Sequence, residues 1–187
     1  MMVSRTGKLI AILVVAGAGL EPDSAQAQTA VWSMAGAACV PTGQTSAGVG
    51  TFNSAGEVSF PAGQTGEIIV TCPVSPGVAR AASLVVTYRD TDRTRQAVGL
   101  RAVLRQKNLA TGGVTDVGLT LDSNGFAALA PPTAKVRRGV ALRTPCTSAF
   151  VFDHTRFAYY VQVNMIKQTI AQDVLLASVE LGSSVVC

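Results

Sequence analysis

Five stretches of this chain alternate apolar and polar residues with a period of two. Leu84, Val86 and Tyr88 share one parity. Val98, Leu100, Ala102 and Leu104 share the next, with Arg101 and Arg105 on the other side. Val117, Leu119 and Leu121 follow, against Asp116, Gly118 and Thr120. The longest stripe is Phe157, Tyr159, Val161, Val163 and Met165, and Leu175, Ala177, Val179 and Leu181 close the series. Successive side chains of a strand point to opposite faces, so this pattern demands half-buried antiparallel strands rather than amphipathic helices.

Turn signals separate the stripes: Asn53-Ser54-Ala55-Gly56, Pro61-Ala62-Gly63, Ser75-Pro76-Gly77, Thr111-Gly112-Gly113, Asp122-Ser123-Asn124-Gly125 and Pro131-Pro132. Glycine supplies positive φ and proline presets φ, which ends strands for a physical reason. The one weak helical pattern, residues 167–176, reads as a connection. Short strands with frequent turns predict an all-β, antiparallel β-sandwich, Ig-like or jelly-roll-like. Charged residues make up only 14% of the chain and hydrophobic ones 48%, enough for a packed core.

The first 27 residues read as a cleavable leader. Arg5 and Lys8 precede an uncharged, mostly apolar run from Leu9 to Leu20, and Ala25-Gln26-Ala27 supplies the small-x-small cleavage pattern. The expectation is an exported protein, periplasmic or extracellular, with a single domain over residues 28–187. No second apolar run reaches membrane length, so no transmembrane segment is expected in the mature chain. The first cysteine after the leader, Cys39, is far from the cleavage point, which argues against a lipid anchor.

An oxidising compartment turns Cys39, Cys72, Cys146 and Cys187 into disulfide candidates. Four cysteines allow three pairings, and sequence leaves the choice open. Cys39–Cys72 with Cys146–Cys187 is favoured because each closes a moderate loop within one half of the domain. The cysteine spacing is far too wide for a C-x-x-C redox or metal motif.

Chemistry is sparse. His154 is the sole histidine, and no serine occupies a nucleophile elbow, so no catalytic triad is expected and His154 reads as an exposed loop residue. Asp90 and Asp92 have the spacing that opens a calcium loop, but Arg93 and Arg95 follow where further oxygen ligands are needed. A hairpin loop is the expectation there. Neither a cofactor, a metal nor an enzymatic activity is predicted.

Two segments remain as interaction surfaces. Residues 89–107 carry six cations against two carboxylates. Read as a basic hairpin, they offer Arg93, Arg95, Arg101 and Arg105 to an anion such as an acidic glycan. No aromatics interleave them, so nucleic acid is not expected. Residues 28–38 place Ala30, Trp32 and Met34 on one parity. That segment serves either as the domain's own first strand or as a strand added to a neighbouring subunit's sheet.

The early Cys39 and the strand Ile68-Ile69-Val70-Thr71-Cys72 resemble exported pilin-like subunits over about residues 28–75. The resemblance implies a disulfide between the first and a nearby strand, and self-assembly by strand addition. Cys146 and Cys187 depart from that pattern, and the chain's end lacks an alternating aromatic strand for chaperone binding. The sequence thus predicts a non-enzymatic envelope module, structural or interactive, with a self-associating subunit and an acidic-polysaccharide binder as alternatives.

Overall fold

The computed structural model describes residues 29–42, 50–92, 97–126, 134–145 and 148–184. The leader, Cys146, Cys187, Arg93 and Arg95 lie outside the described residues. In chain order the strands are β1 Ala30–Ala35, β2 Val40–Pro41, β3 Thr51–Phe52, β4 Val58–Ser59, β5 Gly66–Pro73, β6 Arg80–Ala81 and β7 Ser83–Asp90. There follow β8 Val98–Asn108, β9 Val114–Asp122, β10 Val136–Ala141, β11 Phe150–Val151, β12 Phe157–Lys167 and β13 Val174–Gly182.

The strands form an antiparallel β-sandwich. One sheet runs β2-β5-β12-β8-β9. In the other, β10, β7 and β13 are consecutive, and the far edge of β13 is shared. Strand β4 pairs there with Leu175 and Leu176, and β1 pairs along Ser178–Gly182. A small ladder, β6-β11, stands apart. Residues 168–173 are the connection between β12 and β13, as expected.

The predicted stripes become the inner faces. Leu84, Val86, Tyr88, Val98, Leu100, Ala102 and Leu104 join Tyr159, Val161, Val163 and Met165 in one buried cluster. Burial pushes the Tyr88 hydroxyl up to about 12, so it stays protonated in the core.

Two stripes are interrupted, and both interruptions are bulges. In β13 the pairing with β7 slips between Leu176 and Ser178, leaving Ala177 as the extra residue. The core side chains are therefore Val174 and Leu176, then Val179 and Leu181, and Leu175 lies outside the central cluster. In β9 the pairing with β8 jumps from Val117 to Leu121, and Leu119 is 48% exposed. The single extra residue in β13 reverses the in/out alternation beyond it, whereas two extra residues in β9 keep Val117 and Leu121 both inward and turn Leu119 out, which strict period-two reading cannot anticipate.

Cys39 and Cys72 are joined by a disulfide, with an S–S distance of 2.06 Å. It pins the point where the chain leaves β1 in one sheet and enters β2 in the other. The crossing passes through Gly36, where a Cβ would lie 2.5 Å from the Leu176 carbonyl oxygen. Only glycine lets the backbone lie that close to β13.

Candidate functional site

The segment 89–107 is not a hairpin, which corrects the sequence expectation. Strand β7 pairs with β10 and β13, whereas β8 pairs with β12 and β9, so the chain crosses between sheets here. Asp92, 6% exposed, holds the crossing. Its carboxylate accepts hydrogen bonds from the Ala97 amide (2.6 Å), the Val98 amide (3.1 Å) and the Gln172 side-chain amide (3.2 Å). Asp90 accepts from the Asp92 amide at 2.9 Å and from the Ser123 hydroxyl at 2.6 Å. Burial raises the Asp90 carboxyl above the ordinary aspartate value, and the Ser123 hydrogen bond pulls the other way. Both carboxylates thus hold backbone together, and no cluster of three metal-binding side chains occurs among the described residues.

The arginines of this segment are spoken for where the structure describes them. Arg101 Nε lies 2.8 Å from Asp122 Oδ2, and Arg105 Nε lies 2.8 Å from Asp116 Oδ1. Arg105 also donates to Gln162 at 2.8 Å, and Arg89 pairs with Asp173 at 3.0 Å. These are cross-strand neighbours on the outer face, Arg101 opposite Asp122 and Arg105 opposite Asp116. Part of that register was readable: a turn at Thr111-Gly112-Gly113 sets Arg105 opposite Asp116, whereas Arg101 meets Asp122 only because of the bulge in β9. Sequence reasoning counted the cations and missed the carboxylates that the turn brings to them.

His154 is half-buried rather than exposed. Its Nε2 lies 2.9 Å from the Val78 carbonyl oxygen, and its ring stacks on Phe152 with a centroid distance of 5.7 Å. Phe150, Phe152 and Tyr159 extend the cluster edge to face at 4.8 to 5.9 Å. The Tyr159 hydroxyl accepts from the Asp153 amide at 3.0 Å. The histidine therefore packs a loop onto the sandwich end.

Ala30, Trp32 and Met34 lie on the domain's own first strand. Trp32 pairs opposite Leu181, Ser33 opposite Glu180 and Met34 opposite Val179. Trp32 and Met34 pack against the core, while Ala30, Val31, Ser33 and Ala35 are exposed. Among the described residues, β1 pairs only with β13, so its outer edge is open. The other sheet edges are blunted. Strand β9 carries Asp116 and Asp122 and a bulge, β10 carries Arg137 and Arg138, β2 is two residues long with Pro41, and β3, beyond β4, is only two residues long. Strand β1 has no charged residue. An uncharged open edge is a template for another strand.

No protein-family model matches the chain, and no curated protein matches it. Among solved structures, a family two carbohydrate esterase from Cellvibrio japonicus aligns at a TM-score of 0.38 and 11% identity, covering 82% of this chain and 33% of that one. The functional form of the mosquito-larvicidal Cry4Aa toxin from Bacillus thuringiensis aligns at 0.35 and 12%, covering 77% and 23%. The chain spans about a third and about a quarter of the lengths of these two proteins. At such TM-scores neither likeness bears on function.

Proposed function

We propose that this chain is an exported, non-enzymatic β-sandwich module of the cell envelope that associates with a second copy of itself through the open edge of β1. The observation that carries the reading is the contrast between that edge, six residues long and bare of charge, and the charged, bulged or two-residue edges elsewhere. Antiparallel pairing of two β1 strands about Ser33 sets Trp32 of one copy against Met34 of the other, a large apolar cross-strand pair. The leader pattern and the Cys39–Cys72 disulfide support export to an oxidising compartment.

The acidic-polysaccharide reading of residues 89–107 has less support, because Arg101 and Arg105 already spend their charge on Asp122 and Asp116. Light scattering behind size exclusion tests the proposal on oxidised protein over a wide concentration range. Mass should rise with concentration, and Val31→Lys with Ser33→Lys should hold the protein at one chain without unfolding it. A wild-type mass that stays at one chain at every concentration would remove self-association.

A further inference from the structure

The turn joining β8 to β9, residues 108–113, contains no charge and leaves no backbone N–H without a partner. Asn108 N–H donates to the Gly113 carbonyl at 2.8 Å, Leu109 N–H to the Arg156 carbonyl at 2.9 Å, and Gly112 N–H to the Asn108 carbonyl at 2.8 Å. Ala110 and Thr111 N–H donate to the Asn108 side-chain oxygen at 2.9 and 3.0 Å, and Gly113 N–H to the Thr111 hydroxyl at 3.3 Å. A surface turn in water has no need of this, since water satisfies exposed amides at little cost. In a low-water environment each unsatisfied amide is expensive.

The side chains at this tip are apolar. Leu109 is 58% exposed and Val114 44%. Cations flank them: Lys107 stands opposite Val114 in the ladder, and Arg156 supplies the carbonyl that anchors Leu109. Nearby, Arg80 pairs in register with Val151, which is also 58% exposed. Arg80, Lys107 and Arg156 are exposed, and none forms a close ion pair among the described residues, although the Arg156 charge acts on the neighbouring Asp153 carboxylate. Arg89, Arg101, Arg105, Lys135, Arg137 and Lys167 are all ion-paired. The opposite end also exposes an apolar side chain, Ile170, but in a turn that ends at Asp173 and lies beside Asp90 and Asp92.

We infer that this end of the sandwich docks on an anionic lipid bilayer, with the 108–114 tip entering the headgroup layer and Lys107, Arg156 and Arg80 lying against phosphates. A soluble acidic polymer accounts for the cations but gives Leu109 and Val114 nothing to bury in. A bilayer interface accounts for both, and is consistent with a turn whose N–H groups are all satisfied by the protein. The inference is independent of the β1 edge, which the β1 lysine substitutions test separately.

Cosedimentation with phosphatidylcholine vesicles, with and without phosphatidylglycerol, tests it on the exported, oxidised chain. Binding should require phosphatidylglycerol and weaken with salt. Lys107→Gln with Arg156→Gln should weaken it about thirtyfold, and Leu109→Ser about tenfold. Arg101→Gln with Arg105→Gln removes the same formal charge from paired sites and should change binding far less. Leu109→Trp should add an indole whose emission shifts to the blue on vesicle binding. Failure to bind anionic vesicles overturns the inference. So does equal loss in the Arg101/Arg105 control, or indifference to Leu109→Ser with full competition by soluble polyglutamate.

Discussion

Gly118 lies against the backbone of Leu142, so close that a Cβ at residue 118 would sit 2.6 Å from the Leu142 Cα. Here the bulge of β9, in one sheet, presses on the chain leaving β10 in the other. Its φ of +75° is also in the left-handed region. Conformation and contact therefore both exclude a side chain. Gly118→Ala should cost about 2–4 kcal/mol in urea unfolding. Gly112 has the same φ of +75° but nothing within 4 Å of its Cβ position, so Gly112→Ala should cost only about 1–2 kcal/mol. Equal losses at the two sites would show that contact with Leu142 contributes nothing.

The Cys39–Cys72 bridge closes a loop with a sequence separation of 33. Replacing both cysteines with serine should lower stability by about 3–4 kcal/mol in the chain-entropy picture. Because both sulfurs are buried, two buried hydroxyls add to the cost. Denaturant titration of the wild type and the double variant, both without reductant, measures it.

Two carboxylates should give stability differences of opposite slope with pH. Asp90 is held above its ordinary value of 3.8 by burial, so the native state keeps a proton that the unfolded chain has lost. Its contribution is present at low pH and fades as pH rises through the native value. Asp90→Asn should therefore gain on the wild type as pH rises from about 3.5 towards neutrality. Glu57 is held below its ordinary 4.5 by hydrogen bonds from Lys135 and Asn53. Its contribution is present above 4.5 and is lost as pH falls through the native value, so the penalty of Glu57→Gln should be greatest near neutrality and shrink in acid. Stability curves of parallel shape for wild type and both variants would contradict this assignment.

Arg101 and Asp122 form an exposed pair, and a double-mutant cycle should return only about 0.2–1 kcal/mol, falling with added salt. A larger, salt-insensitive coupling would mean that the pair is shielded from solvent in solution.

The sandwich was legible because its inner faces obey period two over long runs. In Phe157–Met165 every second residue points inward, and the pattern extends to Lys167, which is 5% exposed. The reading failed where one strand gained residues that its partner lacks, at Ala177 and around Leu119, since alternation carries no record of register. It failed again at Thr91–Ala97, where a change of sheet looks the same in sequence as a hairpin. The carboxylate that holds this crossing, Asp92, was visible, but the Ala97 and Val98 partners meet it through backbone amides, which leave no trace in residue types, and Gln172 lies far along the chain. The aromatic packing of His154 was hidden for a related reason: Val78 and Phe152 meet it only after β6 and β11 have paired. The cysteine pair was found because loop size favoured it.

Strands β12 and β13 are the middles of the two sheets, and they are consecutive. Strand β12 sits between β5 and β8, and β13 sits between β7 and the β1/β4 edge. Before residue 157 the chain can form only two-stranded pieces of these sheets, β2 with β5, β3 with β4, β7 with β10 and β8 with β9, and β1 has no partner at all. A chain emerging N-terminus first therefore holds separate two-stranded ribbons until β12 and β13 arrive and join them into sheets. The interior therefore closes late, once the two central strands are in place between their neighbours.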